Sequence, residues 1–224
     1  TIARGGKVVI PSFAVGRAQA LLHALACLKA KGAVPPAVPV YLDSPMATDV
    51  TALYVRLRRQ HRLSAEQCAA IGRSAHLVTT PAQSRALDLQ RLPMVIIAAS
   101  GMATGGRVLH HLRALAGDPR NTILFSGYQA SGTRGAAIVS GAPEVKMLGQ
   151  WVPIRAEVAT LQGLSAHADH AEILQWLRGF DRAPKTTFVT HGEATAADAL
   201  RQRIVAALGW KVEVPDYLQA VSLD

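Results

Sequence analysis

The chain has 224 residues, half of them apolar, which is enough for a sizeable core and excludes a linker-like or disordered protein. Its 24 Lys and Arg against 15 Asp and Glu leave a net charge of +9, which fits an acidic partner such as nucleic acid, although many basic proteins bind none. An aromatic share of 5% argues against a broad surface of stacked rings as the main binding device, so phosphate recognition fits better than base stacking.

In chain order, residues 7–10 read as a short buried strand and residues 16–31 as a helix with Ala18, Leu21, Leu22, Leu25 and Leu28 on its apolar positions, stopped at Gly32. Residues 38–42 read as a second strand, residues 47–59 and 64–72 as helices, the latter with Ser64 as its cap. Residues 94–99 are a strongly apolar strand, followed by a Gly-rich loop and a helix with Val108, Leu109, Leu112 and Leu115 on one face. Residues 121–125 make another strand and residues 127–135 another Gly-rich loop. Residues 145–148 and 154–161 read as strands paired across a turn at residues 149–153. The tail reads as helix 169–178, strand 186–190, helix 195–208 and strand 210–214. This alternation predicts an α/β protein with a mainly parallel sheet, and a composition shift over residues 149–163 suggests a domain boundary.

Cys27 and Cys68 have no CxxC spacing, so a disulfide framework is not expected. No apolar run reaches the roughly 18 residues of a membrane span, and a cytoplasmic setting is expected by default. The sequence starts at Thr1, almost directly in a strand, and reads as the carboxy-terminal piece of a larger enzyme.

In a parallel sheet, ligands gather at the carboxyl ends of strands, where helix amino termini aim N–H groups outward. Four loops qualify, at residues 11–17, 43–46, 100–107 and 127–134, and three carry an arginine near the next element: Arg17, Arg107 and Arg134. A guanidinium beside free backbone donors suits phosphate, whereas the plain alternative is a tight turn with a solvated arginine. Neither a G-x-G-x-x-G spacing nor a Gly-Lys-Ser/Thr is present, and no serine lies in G-x-S-x-G.

Two histidines stand at the ends of predicted elements. Asp169 and Glu172 have the form of a capping box, which accounts for Asp169, and His167 lies just before that cap, where an anion is favoured. His167 therefore reads either as a phosphate donor or leaving-group acid, or as an ordinary solvent-facing loop histidine. His191 ends a strand and precedes Gly192, a place suited to metal ligation and equally to a turn histidine satisfied by backbone. His110 and His111 are adjacent on a helix, point apart, and are not expected to share a metal.

The order of motifs carries more than any one of them. Pro11-Ser-Phe-Ala-Val-Gly-Arg-Ala-Gln19, Tyr41-Leu-Asp-Ser-Pro45, Ala99-Ser-Gly-Met102 with Thr104-Gly-Gly-Arg107, Gly127-Tyr-Gln129 with Gly132-Thr133, Leu164-Ser-Ala-His-Ala-Asp169 and Thr190-His-Gly-Glu193 occur in sequence. Together they closely resemble the β-CASP branch of the metallo-β-lactamase fold, which includes bacterial and archaeal RNA-processing nucleases and the cleavage and polyadenylation endonuclease. The resemblance implies a β-CASP cap over residues 1–158 and the returning part of a metallo-β-lactamase domain over residues 159–224.

It further implies a zinc-dependent ribonuclease with a pair of zinc ions, acting on single-stranded RNA and compatible with a homodimer. His191 matches a zinc ligand, and His167 a motif implicated in phosphate contact and proton transfer. Ser165, the backbone at Ala166, and Arg17, Arg107 and Arg134 are then expected along the RNA path. The family's H-x-H-x-D-H signature, its next histidine, its bridging aspartate and its acidic first motif do not occur in this sequence. The chain alone is therefore expected to be inactive as a nuclease. A catalytically silent RNA-binding or assembly subunit is the competing expectation, and a DNA-directed nuclease or small-ester hydrolase a more distant one.

Overall fold

A computed structural model describes residues 1–222. The first elements are β1 (Val8–Pro11), α1 (Arg17–Ala30), β2 (Val40–Asp43), α2 (Pro45–Arg56) and α3 (Ala65–Arg73). They are followed by β3 (His76–Leu77), α4 (Pro81–Leu89), β4 (Val95–Ala98), α5 (Val108–Leu115), β5 (Thr122–Phe125) and α6 (Arg134–Val139). A hairpin of β6 (Glu144–Met147) and β7 (Gln150–Pro153) then leads to β8 (Glu157–Thr160). The tail contains α7 (His170–Leu177), β9 (Thr187–Phe188), α8 (Ala194–Leu208) and β10 (Val212–Glu213).

Two compact units divide between Ser165 and Ala166, past the Val158 boundary drawn on the sequence, so that β8 stays with the first unit. The first unit is built on a six-stranded sheet in the order β3-β2-β4-β1-β5-β8, with every neighbouring pair parallel. Its central strands are covered on both faces, which is why residues 95–98 are apolar at every position instead of alternating.

The pleat divides these residues between two cores. Ile10, Val40, Leu42, Val95 and Ile97 pack with Ala18, Leu21, Leu22, Ala47 and Ile71 from α1, α2 and α3. Val9, Ile96, Ala98, Ile123 and Phe125 pack with Leu87, Leu109, Leu112 and Ile138 from α4, α5 and α6. The α/β expectation with a mainly parallel sheet is met.

The hairpin departs from the sequence reading. Residues 150–153, taken there as a turn, are themselves the antiparallel partner of β6, with Val145 facing Val152. The true turn is Leu148 and Gly149, both at positive φ (48° and 83°), the backbone of a tight two-residue hairpin. The strand within residues 154–161 instead joins the main sheet beside β5.

Helix α4 had no counterpart in the periodicity reading because its only buried side chains are Ser84 and Leu87. Its start is nevertheless written in the sequence: Thr80 Oγ1 accepts from the Gln83 N–H at 3.2 Å, the Gln83 side chain answers at the Thr80 N–H, and Pro81 takes the first helical position. Thr80→Ala is expected to lower stability by about 1 kcal/mol in urea unfolding, the usual cost of a lost cap.

The second unit pairs β9 with β10 in parallel, and Leu177, Val189, Ala197, Ile204 and Val212 form its core. Among the described residues no helix is long and apolar enough to cross a membrane.

Candidate nucleic-acid interface

Because β1, β2, β4 and β5 run parallel, the four loops that follow them lie on one edge of the first unit. The chain leaves β1 through α1 toward β2, and leaves the adjacent β4 through α5 toward β5 on the opposite face. Two neighbouring strands that send their connections opposite ways open a crevice at their carboxyl ends. Beneath that place Ser12, Phe13, Ser44 and Ala99 close over the buried side chains of Leu42 and Ile97, leaving a gap too small for a water molecule.

The loops at this edge are tied to one another. The Ser12 N–H continues the β1–β4 ladder to the Ala98 carbonyl at 2.9 Å. Phe13 lies over Gly101 so closely that a Cβ there would stand 2.8 Å from the ring. Gln129 Nε2 donates to the Gly101 carbonyl at 3.1 Å, and the Gly135 N–H to the Met102 carbonyl at 3.0 Å. Inside the 100–107 loop, Ser100 Oγ accepts from the N–H groups of Thr104 and Gly105 at 3.1 and 3.2 Å. Buried Gln19 fixes the first loop, accepting from the Gly16 N–H at 2.8 Å and donating to Ala14 and Thr51.

The three arginines expected here are used differently. Arg17 donates through Nη1 to the Leu164 carbonyl at 2.5 Å. Arg134, the first residue of α6, donates through Nε to the Lys146 carbonyl at 2.7 Å and through Nη1 to the Thr104 carbonyl at 3.2 Å. In both, Nη2 has no hydrogen-bond partner among the described residues, so each presents an oriented donor at the rim. Arg107 turns inward: its side chain is only 19% exposed, pairs with Asp43 at 2.5 Å, and bonds the carbonyls of Val78 and Thr79. It braces the loop from below.

Below Arg107 lies a polar network that the sequence reading passed over. Asp43 and His111 are both fully buried. His111 Nε2 donates to Asp43 Oδ2 at 2.7 Å and Nδ1 to Asp88 Oδ1 at 2.6 Å, while Ser84 Oγ donates to Asp43 at 2.5 Å. Burial by itself would lower the His111 pKa, but the two carboxylates outweigh it and push it up to about 9, so the ring is an imidazolium with both N–H groups engaged. Burial would raise the Asp43 pKa, yet the hydrogen bonds from His111, Ser84 and Arg107 hold it below the usual carboxylate range. The position of His111 was legible, since it falls on the stripe of Val108, Leu112 and Leu115. Its partners were not, because they lie 68 and 23 residues away in the chain.

In the second unit, Asp169 caps α7 as predicted, accepting from the N–H groups of Ala171 and Glu172 at 2.8 and 2.9 Å while Glu172 returns a bond to the Asp169 N–H. His167 is exposed two residues ahead of this cap, with Ala166 beside it and Ser165 ending the first unit. His191 is exposed and takes φ 65°, the left-handed turn conformation, before Gly192. Among the described residues no three His, Cys, Asp or Glu side chains come together as a group that could hold a metal ion, so these residues do not make up a zinc centre among themselves.

Comparison with known proteins places these features. The Beta-Casp domain matches residues 18–138, and a Zn-dependent metallo-hydrolase RNA specificity domain matches residues 151–215. Ribonuclease TTHA0252 of Thermus thermophilus is 41% identical over 99% of this chain, which covers 51% of that protein. Transcription termination factor FttA of Pyrococcus abyssi is 32% identical over the whole chain, covering 36% of it. An RNase J-like protein of Methanocaldococcus jannaschii is 33% identical over 86% of the chain and 44% of its own length. The chain spans about half the length of the first of these relatives and about a third of the second. With a family match over more than half of its residues, the chain belongs to the β-CASP family.

Proposed function

We propose that this chain is the RNA-holding part of a zinc-dependent ribonuclease, and that alone it binds single-stranded RNA without cleaving it. What carries the reading is the convergence of four loops on one sheet edge, with the Arg17 and Arg134 guanidinium groups anchored by backbone carbonyls so that Nη2 of each is left for phosphate. The net charge of +9 and the RNA specificity domain matched at residues 151–215 support it. The names of the relatives, a ribonuclease among them, point the same way.

Each residue then has a role within its own unit. Arg17 and Arg134 bind backbone phosphates, while Arg107, held by Asp43, keeps the 100–107 loop in register. In the second unit, His167 hydrogen-bonds the scissile phosphate or protonates the leaving oxygen, with the Ala166 backbone supporting the same group, while Ser165, at the end of the first unit, is assigned to the RNA path of that unit. His191 is assigned to the zinc, whose other ligands we attribute to regions that the longer relatives carry.

The test is to titrate labelled single-stranded RNA with the 224-residue chain at several salt concentrations, with and without zinc. The expected result is binding that weakens steeply with salt while the RNA stays intact. Failure to bind would overturn the RNA reading, and zinc-dependent cleavage by the chain alone would overturn the assignment of the remaining ligands elsewhere.

A further inference from the structure

The hairpin of β6 and β7 carries a side chain that the fold does not use. Its inner face, Val145, Met147 and Val152, is buried in the core, whereas its outer face places Lys146 directly opposite Trp151. Cβ atoms paired in this way stand about 4.5–5.5 Å apart. Trp151 is 63% exposed, and neither its ring nor the Lys146 ammonium has a ring or ion-pair partner among the described residues. Core packing therefore does not account for the largest side chain on the hairpin.

The position of the hairpin supplies a reason. Its base is fixed where the Ile154 N–H meets the Pro143 carbonyl and the Arg155 N–H meets the Ala116 carbonyl, just past the end of α5. Its tip points the other way. There Arg134 bonds the Lys146 carbonyl with one nitrogen and the Thr104 carbonyl with another, joining the hairpin to the 100–107 loop. Trp151 and Lys146 thus stand next to the rim that holds Arg134.

We propose that Trp151 and Lys146 form a stacking platform for an unpaired RNA base, the indole taking the face of the base and the ammonium its flanking phosphate. This extends the RNA path from the loop edge past Arg134, and it rests on the RNA-holding reading above. A flat ring suits any base, so the platform adds affinity for single strands without reading their sequence. A chain poor in aromatic residues needs only one ring here, because phosphate contacts supply most of the binding.

The experiment uses the whole chain, a short oligouridylate and a blunt RNA duplex of equal length. Binding of the oligouridylate should quench tryptophan emission in the wild type, and Trp151→Phe should abolish that quenching while keeping affinity within about threefold. Trp151→Ala should weaken single-strand binding roughly 5- to 100-fold, with an unchanged far-UV spectrum and little effect on duplex binding. Lys146→Gln should lower the slope of log affinity against log salt by about 0.7.

If Trp151→Ala binds the oligouridylate as well as the wild type, the platform is refuted while the RNA-holding reading stands. If the wild type binds no RNA, that reading falls and takes the platform with it. Dissociation of a dimer by Trp151→Ala, with RNA affinity unchanged, would show the ring to be a protein contact and likewise overturn the proposal.

Discussion

Replacing His111 by leucine is expected to destabilise the first unit by about 3–5 kcal/mol, because Asp43 and Asp88 would lose the cation between them while Asp43 stays buried. The same ring makes stability depend on pH, and the sign follows from the direction of its shift. Its pKa is raised on folding from the ordinary 6.5 to about 9, so its contribution is complete below about pH 6.5 and is lost as pH rises through 9. That difference corresponds to about 3 kcal/mol. Asp43 acts at the other limb: its pKa is lowered, so its contribution is present above the ordinary carboxylate range and lost as pH falls through the folded value. Urea unfolding should therefore find maximal stability between these limbs. His111→Gln, which keeps a donor but no titrating charge, should abolish most of the alkaline loss. An alkaline limb of the same size in His111→Gln would show that another group is responsible.

Gly106→Ala is expected to cost more than about 2 kcal/mol and to disable the 100–107 loop. Gly106 has φ 75°, where a Cβ is disfavoured by about 1–2 kcal/mol, and that Cβ would lie 2.4 Å from the Ala99 carbonyl oxygen. The obstacle is backbone and has no side-chain freedom with which to yield. The same carbonyl accepts the Val108 N–H at 3.0 Å, so pushing it aside unseats the start of α5 and with it Arg107. Gly105 is the control, since nothing lies within 4 Å of its Cβ position and its φ is not positive. Gly105→Ala should unfold like the wild type and bind RNA equally well. Equal stability of the two variants would contradict this account of the loop.

The parts of the fold legible in the sequence are those whose signal is local. Strands β1 and β4 announced themselves as apolar runs, α1 and α5 by periodic leucines, and α7 by the Asp169 capping box. The parallel arrangement then put the four loops on one edge. Helix α4 stayed hidden because its inward face carries Ser84 beside Leu87, and Ser84 is buried for the sake of Asp43. The hairpin was misread because Trp151 and Pro153 look outward, leaving only Val152 to signal a strand.

At the loop edge, proximity to strand ends singles out three arginines but not their orientation, which depends on contacts across the chain. Arg107 meets Asp43 over 64 residues, and Arg17 meets Leu164 over 147. No spacing rule reaches that far, which is why Arg107 reads on the sequence as an equal of Arg17 and Arg134.

In the proposed function, the carboxyl edge of the six-stranded sheet grips RNA through Arg17 and Arg134. That grip is tested most directly by measuring single-stranded RNA affinity against salt concentration for the wild type and for the Arg17→Gln, Arg134→Gln double variant. Loss of two phosphate contacts should lower the log–log slope by about 1.4 and weaken binding at low salt by tenfold or more. A double variant that is folded and binds with the wild-type affinity and slope would contradict it.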